Sequence, residues 1–181
     1  MIEDACPQCG ETENLHSNYD WSKLHRPIED ILCNECGTFF KPNKMIKIYL
    51  DDVRTPNDPT WTVVRSYNEF IDKINEVGLD SIDQISLDHD LGDTAMKEYY
   101  NNVSPNYQLN YDNITEKTGM DCVKWLVELC LDNNLKLPLT VVHSANPIGS
   151  ANMMGYINNF LMNTRLPQTC VRVKIPHTIM K

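Results

Sequence analysis

The chain has 181 residues, of which 41% are hydrophobic and 23% charged, and its 16 basic and 25 acidic side chains give a net charge of −9. This length fits one domain of about 100–150 residues with a small appendage and excludes two large domains. The negative charge disfavours extended binding to nucleic acid. No apolar run reaches the ~18–20 residues that span a bilayer. Because the first residues also lack a secretion signal, we expect a cytoplasmic protein with no membrane partner.

Two Cys-x2-Cys pairs lie in the first 44 residues. Cys6 and Cys9 form the first pair and Cys33 and Cys36 the second, and a glycine follows each pair. Two such pairs with no secretion signal are typical of a zinc ribbon with four thiolate ligands. A segment of about 44 residues is too small for a stable core of its own, so we expect a structural Zn²⁺ in residues 1–44.

From residue 45 onward, short β-rich runs alternate with amphipathic helices, which predicts an α/β domain with a parallel sheet over residues 45–181. The predicted strands are 45–50, 61–65, 84–88, 138–142 and 170–174. Helices are predicted to begin at Ser66 and to cover 119–132 and 150–162, each with an apolar stripe that packs on the sheet. The other cysteines, Cys122, Cys130 and Cys170, are predicted to be small buried hydrophobic residues.

Residues 93–118 form a polar insertion after the third predicted strand. Its length is typical either of a functional lid or of a disordered linker. Four tyrosines lie in it, and they either stack on a base or belong to a mobile surface loop. They are Tyr99, Tyr100, Tyr107 and Tyr111.

Polar residues directly follow three predicted strands. These clusters are Asp51-Asp52-Val53-Arg54, Asp88-His89-Asp90 and His143-Ser144-Ala145-Asn146. Because the carboxyl ends of parallel strands meet at one edge of a sheet, we expect the three clusters to converge. Carboxylates are the ligands that Mg²⁺ and Mn²⁺ prefer, which predicts a divalent-cation site. Its candidate ligands are Asp51, Asp52, Asp88 and Asp90. His89 and His143, beside these carboxylates, are candidates for acid–base catalysis.

The order of these groups resembles the receiver domains of two-component response regulators, with Asp51, Asp52, Asp88, Ser144 and Lys174 at the matching positions. The longer motifs LDDVRTP, VRSYNEF, ISLDHDLG and VHSANPIGSANM more closely resemble the cyclic-phosphate-processing receiver family of phages and bacteria. This resemblance implies a flavodoxin-like five-stranded parallel sheet with strand order 2-1-3-4-5. It also implies a metal-dependent phosphoesterase that acts on a cyclic phosphate or cyclic nucleotide, supplied as a small molecule or an RNA end.

Within that resemblance, a cation held by the aspartates would polarise the phosphoryl group, and His89 or His143 would move protons. Either Asp88 or an activated water would attack phosphorus. Five residues are expected to bind phosphate oxygens: Arg54, Arg65, Ser144, Asn146 and Lys174. The alternative is a non-enzymatic receiver-like module that binds a partner protein or a phosphorylated ligand.

Two helices of a receiver are expected to be reduced or missing. About ten residues with two prolines separate the first two predicted strands, which is too short and too broken for a helix. The chain ends a few residues after strand 170–174, so no fifth helix is expected. One face of the sheet would then lack its cover. We expect the zinc ribbon to cover it, with a homo-oligomer or the 93–118 insertion as alternatives.

Overall fold

The computed structural model describes residues 8–10, 15–17, 31–40 and 45–164. The chain divides into two units, Met1–Lys44 and Met45–Lys181. The predictions for Cys6 and for strand 170–174, including Cys170 and Lys174, lie outside the described residues. The expectation that the ribbon covers one face of the sheet stays a prediction.

The N-terminal unit contains a small antiparallel sheet. Its strands are β1 (Leu15–Ser17), β2 (Ile31–Cys33) and β3 (Phe39–Phe40), in the order β1-β2-β3. The chain reverses between β2 and β3, where the Gly37 N–H donates to the Cys33 carbonyl at 2.8 Å. Gly37 has a φ of 70°, a left-handed conformation that favours glycine. This turn therefore brings Cys33 and Cys36 close together, as a zinc knuckle requires.

The second unit is built on a four-stranded parallel sheet. Its strands are β4 (Ile46–Leu50), β5 (Trp61–Val64), β6 (Ile82–Leu87) and β7 (Leu139–Val142). Their order, β5-β4-β6-β7, is the predicted order 2-1-3-4. Residues 51–60 connect β4 to β5 without a helix, as the two prolines predict.

Three long helices pack on the sheet: α1 (Tyr67–Val77), α4 (Gly119–Asn133) and α5 (Pro147–Asn163). The predicted cap of α1 is confirmed, since the Glu69 N–H donates to Ser66 Oγ at 3.2 Å. Cys122 and Cys130 are fully buried in the core, as predicted. Leu131, the residue after Cys130, is 58% exposed and lies outside the core cluster.

The 93–118 insertion is folded, so its interpretation as a disordered linker is wrong. It begins with α2 (Asp93–Glu98), continues through a π-helical turn (Tyr99–Val103) into the short α3 (Ser104–Asn106), and ends in a turn at Tyr111–Asn113. Glu98 is only 3% exposed and accepts hydrogen bonds from the Asn110 N–H at 2.9 Å and from the amides of Asn102 and Asn113 at 2.8 Å. One buried carboxylate thus ties the two ends of the insertion together.

Candidate functional site

Three carboxylates converge at the carboxyl ends of the two central strands. Asp51 and Asp52 directly follow β4, and Asp88 directly follows β6, the strand paired with it. One carboxylate oxygen of each lies within 4.8 Å of the others. We call Asp51, Asp52 and Asp88 the carboxylate cluster. The convergence that the sequence predicts for these three residues is present in the structure.

Asp51 is the most enclosed member of the cluster, with no exposed surface. Its oxygens accept bonds from the backbone N–H groups of Val53 and Arg54 and from His143 Nε2, the last at 3.1 Å. Burial raises the pKa of Asp51, but these hydrogen bonds and the Arg54 charge outweigh burial and lower the pKa to about 2. Asp51 is therefore held ionised, as a metal ligand must be.

Asp52 lies in a different electrostatic environment. Burial raises its pKa, and the negative charges of Asp88 and Asp51 raise it further. Within the described part of the chain, no side chain forms a hydrogen bond or ion pair with its carboxylate. Like charges crowded in this way are relieved by a cation placed among them.

Arg54 bridges two members of the cluster. Its Nε lies 2.6 Å from Asp51 Oδ2, and its Nη2 lies 3.0 Å from Asp88 Oδ2. The Arg54 side chain is 45% exposed, whereas those of Asp51 and Asp88 are buried. A guanidinium with this access can also bind a phosphoryl oxygen, the role expected for Arg54.

His143 contacts the cluster from the end of β7. Because a carboxylate only accepts hydrogen bonds, the His143 Nε2 that contacts Asp51 carries a proton. The other nitrogen, Nδ1, lies 2.8 Å from Ser86 Oγ. The ring stacks on Tyr49, with 4.2 Å between centroids. With both nitrogens engaged, His143 is placed to orient Asp51, and this geometry favours a positioning role over direct acid–base catalysis.

His89 is fully buried between two polar partners. Its Nδ1 lies 2.7 Å from Asp90 Oδ1, and its Nε2 lies 3.1 Å from the Tyr111 hydroxyl. Asp90 can only accept, so Nδ1 carries the proton and Nε2 accepts from Tyr111. We call Asp90, His89 and Tyr111 the His89 chain. It links the loop after β6 to the insertion.

Asp90, expected to be a fourth metal ligand, lies in this chain and not in the carboxylate cluster. It accepts hydrogen bonds from Asn146 Nδ2 at 3.1 and 3.3 Å. The other end of the Asn146 amide caps α5 by accepting from the Gly149 N–H at 2.9 Å. Asn146 is fully buried with these bonds made, so the geometry favours a structural role over the expected phosphate binding.

Arg65 was also expected to bind phosphate, but its guanidinium is turned to the backbone. It donates to the carbonyls of Asp51 and Arg54 at 2.9 and 2.6 Å and to the Thr55 hydroxyl at 2.7 Å. Arg65 therefore fixes the loop after β4. Ser144 is buried at the end of β7, where its Oγ accepts from the Asn146 N–H at 3.2 Å, and its own hydroxyl proton remains for another acceptor.

Two glycines that sequence reasoning missed allow the loop after β6 to sit close to the helices. A Cβ at Gly119 would lie 1.9 Å from the Asp88 carbonyl oxygen, and one at Gly149 would lie 2.3 Å from His89 Cγ. The sequence signal was partial: Gly119 begins the predicted helix 119–132, and Gly149 lies between the His143–Asn146 cluster and the predicted helix 150–162, which in the structure begins earlier, at Pro147. Ser86 and Tyr111 had no comparable signal as partners of the histidines, nor had Asn152 as a donor to Tyr111.

The two candidate metal sites have different donor chemistry. The carboxylate cluster offers three hard oxygen ligands, which suit Mg²⁺ or Mn²⁺. In the N-terminal unit, Cys9, Cys33 and Cys36 bring their sulfurs within 4.8 Å of one another, with 3.5 Å between Cys9 Sγ and Cys33 Sγ. Tetrahedral Zn–S bonds of about 2.3 Å place sulfurs about 3.8 Å apart, so the three thiols fit zinc.

A parallel sheet in the order 2-1-3-4, with an acidic pair after its first strand and an aspartate after its third, defines a receiver-like domain. The family model for the cyclic-phosphate processing receiver domain matches residues 46–159, more than half of the chain. The chain belongs to this family. Comparison with curated proteins and with solved structures finds no match. Among the residues that the structure describes, no helix has the length and apolar character needed to cross a membrane.

Proposed function

We propose that the protein is a metal-dependent phosphoesterase that acts on a cyclic phosphate or cyclic nucleotide. The observation that carries this proposal is the carboxylate cluster, in which Asp51, Asp52 and Asp88 meet within 4.8 Å beside an accessible arginine. Arg54 pairs with Asp51 and Asp88, whereas burial and the charges of those two aspartates raise the pKa of Asp52, so a divalent cation among the three carboxylates would be favourable. Membership of the cyclic-phosphate processing receiver family supports the choice of substrate.

Each residue of the site has a defined task in this proposal. Asp51, Asp52 and Asp88 would hold Mg²⁺ or Mn²⁺, which polarises phosphoryl oxygens and acidifies bound water. Arg54 binds a nonbridging oxygen of the phosphate through the guanidinium that now bridges two carboxylates. Ser144 offers a hydroxyl proton at the end of β7. His143 keeps Asp51 ionised and correctly oriented, so it supports the reaction without touching the substrate.

The test is a screen of 3′,5′- and 2′,3′-cyclic nucleotides with added Mg²⁺ or Mn²⁺, with products separated by chromatography. We expect cation-dependent ring opening that is lost in Asp88→Asn and retained in Asp83→Asn, an exposed aspartate on the same strand. Intact mass spectrometry of the quenched reaction then identifies the nucleophile. A chain heavier by the mass of the whole nucleotide indicates attack by Asp88, because ring opening breaks one P–O bond and leaves phosphorus bonded to the other ribose oxygen, and an unmodified chain indicates attack by water. Cation and phosphate binding with no turnover on any substrate would contradict the enzyme and indicate a ligand-binding module.

We also propose that the N-terminal unit binds one structural Zn²⁺ through Cys9, Cys33, Cys36 and Cys6. Elemental analysis is expected to find one zinc per chain in the wild type and none in Cys33→Ser. Cys122→Ser is the matched control, since Cys122 is buried in the α/β unit. Because zinc supplies folding free energy to a segment of this size, Cys33→Ser is expected to lose amide protection in residues 31–40. A zinc-free protein with unchanged protection there would refute the structural role.

A further inference from the structure

A pocket of about 220 Å³ lies where the end of the insertion meets the first turns of α4. We call it the α4 pocket. Tyr111, Ile114 and Met120 contribute a ring, an aliphatic chain and a thioether to its wall. The pocket holds several times the ~30 Å³ occupied by one water molecule. The rest of the lining is polar, so the pocket suits a flat ring with one face on these apolar groups and with polar edges.

The pocket also carries one hydrogen-bond donor and one acceptor that the protein does not use. Lys124 is exposed, and no acidic partner for it is found among the described residues. The Tyr111 hydroxyl donates to His89 Nε2 and accepts from Asn152 Nδ2 at 3.2 Å, which leaves it one lone pair. These two contacts hold the hydroxyl in place. A ligand ring can thus accept a hydrogen bond from Lys124 and donate one to Tyr111.

The charge of the wall argues against a phosphate in this pocket. Glu116 and Asp121 both line it. Glu116 accepts from the Ala95 N–H and Thr94, and Asp121 accepts from Lys117 and caps α4. The carboxylates are thus fixed as anions, and Lys117 is neutralised by Asp121. One remaining lysine beside two carboxylates suits a neutral ring with polar edges better than an anion.

Backbone contacts connect the pocket to the loop that carries Asp88. Thr118 and Met120, which line it, flank Gly119, and the Gly119 N–H donates to the His89 carbonyl at 2.8 Å. The Gly119 Cα also packs on the Asp88 carbonyl. The segment that lines the α4 pocket is therefore in direct contact with the backbone of Asp88.

We propose that the α4 pocket binds the nucleobase of the substrate, while the carboxylate cluster takes its phosphate. This inference rests on the proposed function, because its kinetic test requires phosphoesterase activity. Its binding test does not require that activity. It makes the substrate a nucleoside cyclic phosphate, either a mononucleotide or the 3′ end of an RNA. A substrate with a base would bind more tightly than one without, because the base would contact Tyr111, Met120 and Lys124.

The binding test needs no turnover. ¹⁵N-labelled full-length protein is titrated with adenosine, uridine and inorganic phosphate, and backbone amide shifts are followed. We expect at least one nucleoside to shift the amides of residues 111–124, and Lys124→Met to weaken that binding by about tenfold, the effect of losing one charged hydrogen bond. Lys136→Met, an exposed lysine just after α4, is the matched control. No nucleoside shift in residues 111–124 would overturn the proposal, whatever the enzyme assay shows.

The kinetic test compares adenosine 2′,3′-cyclic phosphate with glycerol 1,2-cyclic phosphate, which has no base. We expect a lower KM for the nucleotide, and we expect Lys124→Met to reduce that advantage about tenfold while Lys136→Met preserves it. A trinucleotide with a 2′,3′-cyclic end distinguishes the two possible substrates. A KM below that of the mononucleotide would indicate that the substrate is the 3′ end of an RNA. Equal KM values for the base-bearing and base-free substrates would overturn the proposal. Absence of turnover on all three would instead count against the esterase.

Discussion

Asp88 and Asp90 are two residues apart in the loop after β6, and they belong to regions of contrasting chemistry. Asp88 joins the carboxylate cluster, where one accessible arginine pairs with two of the three acidic groups. Asp90 joins the His89 chain, where every polar group is buried or paired. The carboxylate cluster therefore has oxygen atoms left to bind a cation, whereas the His89 chain stabilises the fold. Within three residues, the same loop thus supplies one aspartate to the carboxylate cluster and another to the hydrogen bonds of the His89 chain.

The largest effect is expected from breaking the His89 chain. His89→Ala leaves the buried Asp90 without its closest partner and opens a cavity, so we expect the free energy of unfolding to fall by about 3–5 kcal/mol. Urea denaturation followed by tryptophan fluorescence measures it. Tyr111→Phe removes only the outer hydrogen bond and is expected to cost about 1 kcal/mol. A smaller loss in His89→Ala than in Tyr111→Phe would show that the chain does not support the fold.

The next effect is expected from removing one ligand of the cluster. Asp88→Asn loses a hard anionic ligand, and we expect its affinity for Mn²⁺ to fall by at least about 100-fold, beyond the range seen for supporting residues. Isothermal titration calorimetry measures the affinity, and circular dichroism checks that the fold is retained. Asp83→Asn is expected to bind like the wild type. Equal Mn²⁺ binding by Asp88→Asn and Asp83→Asn would remove Asp88 from the site.

A smaller effect is expected from His143, which supports the cluster without belonging to it. His143→Ala frees Asp51 Oδ2 from its hydrogen bond, so we expect Mn²⁺ affinity to fall about 10–100-fold. Ser86→Ala, which loosens only the His143 ring, is expected to have a weaker effect in the same direction. Turnover that falls while Mn²⁺ affinity is unchanged would contradict positioning and would favour the acid–base role that the sequence predicts.

The last effect is expected from pH and is confined to acid conditions. The pKa of Asp51 is lowered to about 2 in the folded protein. Ionised Asp51 therefore stabilises the fold when the pH is above the ordinary pKa of an aspartate, and this contribution is lost as pH falls from about 4 to 2. The amount is about 2 kcal/mol. Urea denaturation of the wild type and Asp51→Asn across this range, without added divalent cation, measures the difference between the two proteins. The zinc contribution cancels in that difference. Parallel pH profiles would contradict the prediction.

The sequence predicts the parts of this molecule that depend on the local chain. The cap at Ser66 and the convergence of Asp51 with Asp88 follow from the capping residues and from the geometry of parallel sheets, whereas the sheet order was implied by the resemblance to the receiver family. The roles of the two histidines do not follow in this way. The sequence around a histidine that is next to aspartates does not show whether its ring nitrogens contact substrate or other protein groups. Only the positions of Ser86 and Tyr111, distant along the chain, show that both rings are fully engaged.

The hydrogen bonds of Arg65 determine which side chains in the loop after β4 can be changed. It holds the loop after β4 mainly through main-chain carbonyls, those of Asp51 and Arg54, and a carbonyl is present whatever the side chain. Val53, between the two ligands and the arginine, is 78% exposed. The side chain at position 53 can therefore be changed, for example in a randomised library, while the backbone contacts that hold Asp51 and Arg54 are kept.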